Sequence, residues 1–503
     1  MPPDHFPLRL GLLPFLRHAR HLPAQQQQQQ QRPIYVLGNP SADLDSIISA
    51  IIYSYFSSSS AAAASASQVV TRPHVPVVNL PDVPAGRELR RLRPEFAAAL
   101  WLSTNPSGSE SAKGAEAVLH GSPPKDDPIA QLLAEHVLTV ADLRGQLLQQ
   151  FPKEQGSTKG LLDTTLVDWN ALPFRSTETR SKGFIEGLED LADLAVIGCI
   201  DHHVDECFVP LNEALPEGQP RIIQLGPGSC TSLVVQELRN RGLWLDQSSG
   251  VDDSSAEEAK AAKLALAAIL IDTTNLTAEG KVTDVDRAAV AFLEAKVRAG
   301  GGDDAGWDRT AFFEAIQDAR QNSLDLLTVD EMLGRDYKDW TEKSSTRTRT
   351  PGKSTTKIGI CSVVKPIEWI VEKAEEEDTS VSGAKSFLTK LRTFSQSRDL
   401  DVVAVMTAFT SSADGSFRRE LVLWGLNEAC LEPVERFAKD FAQELGLEEW
   451  KEDRSGISAA DFAAAATATL DADSVLYIWD QTNVAKSRKQ VAPLLRRVFQ
   501  NAD

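Results

Sequence analysis

The stretch Ile197-Gly198-Cys199-Ile200-Asp201-His202-His203 governs the reading of this chain. Its apolar run predicts a buried strand, and the run stops abruptly at an acid followed by two imidazoles. Of the eight histidines, His202 and His203 are the only adjacent pair. A single histidine on an apolar face reads as a satisfied core residue. Imidazole also ligates metal ions and moves protons near neutral pH, so Asp-His-His at a strand end points to a site.

Three other segments close an apolar run with an acid. Ile34-Tyr35-Val36-Leu37 leads into Gly38-Asn39-Pro40-Ser41-Ala42-Asp43-Leu44-Asp45-Ser46, Leu166-Val167 into Asp168-Trp169-Asn170, and Ile269-Leu270-Ile271 into Asp272-Thr273-Thr274-Asn275. Taken alone, the Asp43/Asp45 loop reads as an Asx-rich turn, and Asp168 as an ordinary strand terminus. Asp272 closes a helical run, where the macrodipole disfavours negative charge and a cation is one way to compensate it. Four acid-bearing loops together can build a two-metal site that activates water and clamps a phosphoryl group.

Around these motifs, strands are expected at 34–37, 75–80, 161–167 and 194–200. Helices are expected from 47 and at 130–149, 179–191, 259–271 and 285–298. Such alternation predicts an α/β domain with a mostly parallel sheet flanked by helices. The Gly-rich stretch 298–308 reads as a linker between this domain, 33–297, and a smaller α/β domain, 309–503. In the latter, a helix is expected at 309–330 and strands at 357–364, 402–408 and 419–424. Residues 1–32 form an N-terminal extension with a Gln run. The Ser/Ala tract 57–67, the polar stretch 103–127 and the basic loop 344–356 read as solvated connections.

The resemblance that emerges is to the DHH phosphoesterase superfamily. It rests on the order of the four motifs, with Asp-His-His third, and covers about residues 33–290. Gly228-Ser229-Cys230-Thr231-Ser232-Leu233-Val234 also resembles an element of that family, and reads equally as a tight turn before a helix. Leu333-Gly334-Arg335-Asp336-Tyr337-Lys338-Asp339-Trp340 and Ser487-Arg488-Lys489-Gln490-Val491-Ala492-Pro493 resemble signature segments of the DHHA2 domain. Family II pyrophosphatases, prune-like proteins and fungal exopolyphosphatases share that domain. The pyrophosphatases carry His where this chain has Asn39, so Asn39 resembles the exopolyphosphatase pattern and implies a more Mg²⁺-tolerant site. Segments 76–81 and 90–95 resemble the exopolyphosphatase and prune branch. One departure stands out: Trp169 replaces the usual family His.

The resemblance implies an exopolyphosphatase that removes terminal phosphate from inorganic polyphosphate. It would use two divalent ions, Mg²⁺ or Mn²⁺, with Co²⁺ also admissible. Asp43, Asp45, Asp168, His202 and Asp272 are the expected ligands, with Asp201 and His203 catalytic. Lys338, Arg419, Arg488 and Lys489 are expected to hold phosphates in a cleft between the domains. Residues 486–497 carry Lys486, Arg488, Lys489, Arg496 and Arg497 with no acid, which predicts a local anion site in a chain of net charge −19. The rival readings are a prune-like nucleotide phosphodiesterase, an inorganic pyrophosphatase, and an interaction protein with a relict site.

The overall acidity disfavours a broad nucleic-acid surface. No apolar run approaches the roughly 20 residues of a membrane span, so no membrane partner is expected. Five cysteines without C-x-x-C spacing suit a reducing compartment. The expected location is the cytoplasm. Arg9, Arg17, Arg20 and Arg32 against the single acid Asp4 make mitochondrial import the alternative.

Overall fold

The computed structural model describes residues 10–23, 32–58, 72–105, 127–150, 159–174, 181–246, 253–301, 306–322, 324, 327–343, 355–411, 414–451, 460, 462, 464–466 and 473–500. The Gln run, most of the Ser/Ala tract, residues 106–126 of the polar stretch and residues 344–354 of the basic loop lie outside the described residues. The chain divides into two compact units, Met1–Ser323 and Leu324–Asp503.

The first unit runs α1 (Leu12–His21), β1 (Ile34–Leu37), α2 (Leu44–Ser58), β2 (His74–Val77), α3 (Arg87–Leu92), α4 (Pro94–Thr104), α5 (Pro128–His136), α6 (Val140–Gln150), β3 (Gly160–Val167), β4 (Lys182–Gly183), β5 (Ala192–Asp201), β6 (Arg221–Ile223), α7 (Cys230–Asn240), α8 (Asp253–Asp272), α9 (Asp284–Ala299) and α10 (Arg309–Asn322). Its sheet is ordered β2-β1-β3-β5-β4, with β6 also on β5. All pairings are parallel except that of the two-residue β4. Alternate residues face opposite sides, so Val36, Val167 and Ile200 enter one core with α2, α7 and α8, while Tyr35, Leu37, Leu166 and Cys199 enter the other. Covering both faces explains why these strands read as continuous apolar runs.

Register determines what meets at the carboxyl ends of the strands. Leu37 pairs with Leu166, and Val167 with Ile200, so Asn39, Asp168 and Asp201 emerge side by side from three neighbouring strands. In open α/β sheets this edge is where ligand sites form.

Three expectations change. Residues 181–191 form the short β4 and turns rather than a helix: Ile185, Leu188 and Leu191 are buried at helix-like spacing, but Gly187 takes a φ of 85°. The helix expected at 130–149 is cut into α5 and α6, because Val137–Thr139 is recruited by β2's extension through a Val78–Thr139 bridge. The helix expected at 309–330 ends at Asn322, and α10 packs on α4 and α8, so the compact units part at residue 323 rather than in the Gly-rich stretch. At the other end, α1 buries Leu12, Phe15, Leu16 and Ala19 in the first core, making residues 12–21 part of that unit.

The second unit comprises α11 (Val329–Arg335), β7 (Tyr337–Lys343), β8 (Thr355–Val363), α12 (Ile367–Glu377), α13 (Gly383–Ser397), β9 (Val402–Thr407), β10 (Phe409–Thr410), β11 (Phe417–Arg418), β12 (Glu420–Gly425), α14 (Glu428–Asp440), α15 (Ala442–Leu445), β13 (Leu447–Glu449), β14 (Val475–Gln481) and α16 (Arg488–Gln500). Its main sheet is ordered β13-β14-β12-β9-β8-β7, mixed, with β8 and β9 the parallel pair. Among the described residues, no helix is long and apolar enough to cross a membrane.

Candidate metal centre

Asp168 stands at the centre of the first unit's strand-end loops. It is 2% exposed and adopts a φ of 54°, a left-handed backbone that a non-glycine residue holds only when its surroundings enforce it. The enforcement is visible. Its amide donates to the Ile200 carbonyl at 3.0 Å, and its Oδ2 accepts from Asn39 Nδ2 and Ser46 Oγ, each at 2.8 Å. Ser41 N donates to Asn39 Oδ1 at 2.9 Å, which turns the amide's donor side toward Asp168. Gly38 permits this fold-back: a Cβ there would lie 2.6 Å from Ser46 Cβ. The buried Arg93 braces the same loop by donating to the carbonyls of Ala42 and Ser41 at 2.8 and 2.6 Å.

Asp168 Oδ1 faces two histidines, His202 Nε2 at 3.1 Å and His203 Nδ1 at 3.5 Å. These three residues form the one convergent group of possible metal ligands among the described residues. His202 is buried, and its Nδ1 lies 3.0 Å from the Pro227 carbonyl, an acceptor only, so Nδ1 carries a proton. In the neutral ring Nε2 then presents a lone pair to Asp168 Oδ1 at 3.1 Å and to Asp45 Oδ2 at 4.0 Å. Lone pairs so arranged repel unless a cation sits among them. The donor set of one imidazole and carboxylate oxygens fits Mg²⁺ or Mn²⁺ chemistry.

His203 lies at the mouth, its side chain 27% exposed, with Nδ1 at 2.8 Å from Asp201 Oδ1. Asp201 is fully buried and also accepts from the His202 amide at 2.8 Å and from Asn170 Nδ2. Burial opposes ionisation of this carboxyl, but the charge and hydrogen bond of His203 outweigh it and hold Asp201 below the usual carboxylate range. Asn170 adds a bond to the Val204 carbonyl and accepts from the Glu206 amide, fastening the turn that carries both histidines. Cys199 and Cys230 nearby are buried thiols whose pKa values burial pushes well up, which rules out a thiolate nucleophile at either.

The other expected ligands lie outside the three-residue convergence. Asp43 is half-buried and its Oδ1 accepts from the Ser46 amide at 3.0 Å. Asp45 is buried against the start of α7: Oδ2 accepts from Cys230 N at 2.6 Å, and Oδ1 from Thr231 N at 2.9 Å and Ser229 Oγ at 2.8 Å. It serves as the anion at that helix N-terminus. Asp272 ends α8, half-buried, before a turn in which Thr274, Asn275 and Leu276 all have positive φ. Trp169 is partly buried against the core that also holds Tyr35, Leu37, Leu166 and Cys199.

Sequence reasoning missed Asp286. It is fully buried in the first turn of α9, and its carboxylate takes Gly228 N at 2.9 Å, Thr283 N at 2.8 Å, Thr283 Oγ1 at 2.8 Å and Ser232 Oγ at 2.7 Å. Thr283 through Asp286 form a capping box, and the T-x-x-D spelling was the signal.

In the second unit most of the expected basic segment is already neutralised. Arg488 donates to Asp336 Oδ1 at 2.7 Å and to its carbonyl at 2.8 Å, Lys486 lies 3.3 Å from Glu444, and Arg496 lies 2.5 Å from Glu342. The acids come from distant sequence, which is why 486–497 looked like uncompensated charge. Arg419 donates to the Val484 carbonyl at 2.8 Å, Lys338 is half-buried on β7, and Lys489 is exposed.

Residues 314–498 match the DHHA2 domain family. The match takes in most of the second unit and the last part of α10. Over 463 residues the chain is 27% identical to a Schizosaccharomyces pombe protein named "Putative exopolyphosphatase", covering 92% of this chain and 89% of that one. A solved structure titled "Crystal structure of Methanococcus jannaschii putative family II inorganic pyrophosphatase" aligns with a TM-score of 0.46 and 16% identity, covering 92% of this chain and 99% of that one. Inside the second unit the buried Glu420 accepts from Ile367 N at 2.7 Å, Thr407 Oγ1 at 3.0 Å and Trp450 Nε1 at 2.9 Å, tying three elements together. Burial raises its pKa.

Proposed function

We propose that the chain is a metal-dependent exopolyphosphatase that hydrolyses the terminal phosphoanhydride of inorganic polyphosphate. The observation that supports this most directly is the convergence of Asp168, His202 and His203 at the carboxyl ends of adjacent parallel strands. The name of the Schizosaccharomyces pombe relative and the DHHA2 domain point the same way.

Asp168 and His202 are the core of the proposed ion-binding set, with Asp43, Asp45 and Asp272 as further carboxylates. Divalent ions held there, two in this proposal, would supply Lewis-acid polarisation of phosphoryl oxygens and a lowered pKa for water. The protein groups do the rest. Asn39 and Ser46 keep Asp168 Oδ2 occupied, so Oδ1 is the oxygen offered to the ion. Asp201 orients His203 through Nδ1, which turns Nε2 toward solvent as the atom able to pass a proton to a departing phosphate. Lys338, Arg419, Arg488 and Lys489 of the DHHA2 domain are the proposed phosphate contacts.

The test is phosphate release by the purified chain with Mg²⁺, Mn²⁺ or Co²⁺ on polyphosphates of several lengths, pyrophosphate and cyclic AMP. Preferential turnover of polyphosphate is expected, with loss of nearly all activity in Asp168→Ala and His202→Ala at unchanged circular dichroism. Preference for cyclic AMP would favour a phosphodiesterase instead, and no turnover of any phosphoanhydride would overturn the proposal.

A further inference from the structure

Asp286 lies in the first turn of α9, 58 residues beyond Gly228, yet is bonded directly to the loop that supports His202. The connection runs through one peptide unit. The carbonyl of Pro227 lies 3.0 Å from His202 Nδ1, and the N–H of Gly228, on the other side of the same bond, donates to Asp286 Oδ2 at 2.9 Å. A peptide group is planar, so fixing its N–H fixes the direction of its C=O. Asp286 is itself held by Thr283 N and Thr283 Oγ1, both at 2.8 Å on the same Oδ2. Nor can Gly228 be displaced easily, since even a Cβ there would lie 2.8 Å from Thr273 Cγ2 and 2.9 Å from the Lys281 carbonyl.

We propose that Asp286 is a positioning residue: through the Pro227–Gly228 peptide it locks the His202 imidazole with its proton on Nδ1, so that Nε2 is presented as a bare lone pair toward Asp168. Asp45 does not substitute for it. Its contacts with this loop begin at Ser229 Oγ, beyond the peptide in question, and continue to Cys230 N and Thr231 N. Neutral imidazole left without this acceptor would populate both tautomers, and the form protonated at Nε2 offers no lone pair on the Asp168 side. The inference deepens the proposed function in that His202 is the ligand it acts on, but the tautomer exists whether or not the chain turns over polyphosphate.

The experiment uses the full-length chain, uniformly ¹⁵N-labelled, at pH 8 with saturating Mg²⁺. Long-range ¹H–¹⁵N correlations report which ring nitrogen of each histidine carries the proton, and His202→Gln assigns the His202 signals. Wild type shows His202 in the Nδ1–H form. Asp286→Ala, which leaves no acceptor for Gly228 N, shifts it to a tautomer mixture and weakens Mn²⁺ binding, followed by titration calorimetry, by roughly 10- to 100-fold, the range for loss of a group that orients a ligand. Ser232→Ala is the structural control: it removes a 2.7 Å bond to Asp286 Oδ1 but leaves the Gly228 contact, so it lowers the melting temperature without changing the tautomer. If Asp286→Ala does not fold, Thr283→Val, which loosens Oδ2 without removing it, gives the same shift with smaller amplitude. An Asp286→Ala protein that melts earlier yet keeps the wild-type tautomer and Mn²⁺ affinity overturns the proposal. A tautomer shift in a chain with no phosphohydrolase activity would uphold the positioning role and refute the proposed function.

Discussion

Replacing Gly38 with alanine adds one methyl group at the point where β1 turns back toward α2. That carbon would sit 2.6 Å from Ser46 Cβ, 3.0 Å from its Oγ and 3.1 Å from its Cα. Two of the three atoms cannot rotate away, so α2's first turn and the 38–45 loop must separate by roughly 1 Å to reach ordinary contact, an overpacking strain of about 1–3 kcal/mol. The displacement falls on the bonds that hold Asp168, since Asn39 Nδ2 and Ser46 Oγ both donate to its Oδ2 at 2.8 Å. A misplacement near 1 Å in a catalytic constellation costs on the order of 100-fold in rate. Gly38→Ala is therefore expected to lower the urea midpoint and to reduce kcat/KM on polyphosphate by roughly 100-fold. Adding Ser46→Gly removes the two shortest contacts together with the Oγ bond, so the double variant should regain part of the stability but not the activity. A Gly38→Ala protein with wild-type midpoint and wild-type turnover would refute the steric reasoning and the role assigned to the Asn39–Ser46 pair.

The remaining predictions rest on separate features. His74 is buried under the edge of Tyr53, and burial, helped by Arg241, lowers its pKa from 6.5 to about 4. The unfolded chain therefore binds a proton between those values that the folded chain refuses. This contribution to stability is full above pH 6.5 and is lost as pH falls toward 4, by at most about 3 kcal/mol. Comparing urea midpoints of wild type and His74→Phe at pH 7.5 and 5 should show a smaller drop in the variant. Arg488→Ala, breaking a two-point contact with Asp336, should destabilise the second unit by about 1.5–3 kcal/mol, read as a lower urea midpoint. Trp169→His should cost about 1–3 kcal/mol of packing against the core that also holds Tyr35 and Leu166, read as a lower melting temperature.

Where the sequence speaks locally, it reads well. The apolar runs of β1, β3 and β5 each lead to a polar residue at one edge of the sheet, so the placement of Asp168, Asp201, His202 and His203 at that edge was readable from one dimension. What escaped reading depends on partners far away in the chain. The 130–149 segment has helical spacing throughout, and only the bridge to Val78 explains why it breaks at Thr139. Arg488 looked free because Asp336 is 152 residues distant. Asp45 looked like a ligand and nothing more, because the α7 amides it anchors lie 185 residues on, beyond the reach of any local pattern. Asp286 drew no reading, because its partner Gly228 lies 58 residues away.

The start of α7 carries one further implication. The free N–H groups at a helix N-terminus ordinarily offer phosphate a ready-made perch. Here Gly228 and Ser229 donate to Asp286, Cys230 and Thr231 donate to Asp45, and Ser232 donates to the Ser229 carbonyl. The chain has seated its own acids where a substrate's would go. A polyanion arriving at this helix end would meet carboxylates and no open amide, so in the proposed function its attraction would come from cations held by Asp168 and His202 and from the basic groups of the second unit. Under the proposed function, the helix end that in other α/β proteins greets a phosphate would serve here as a back wall.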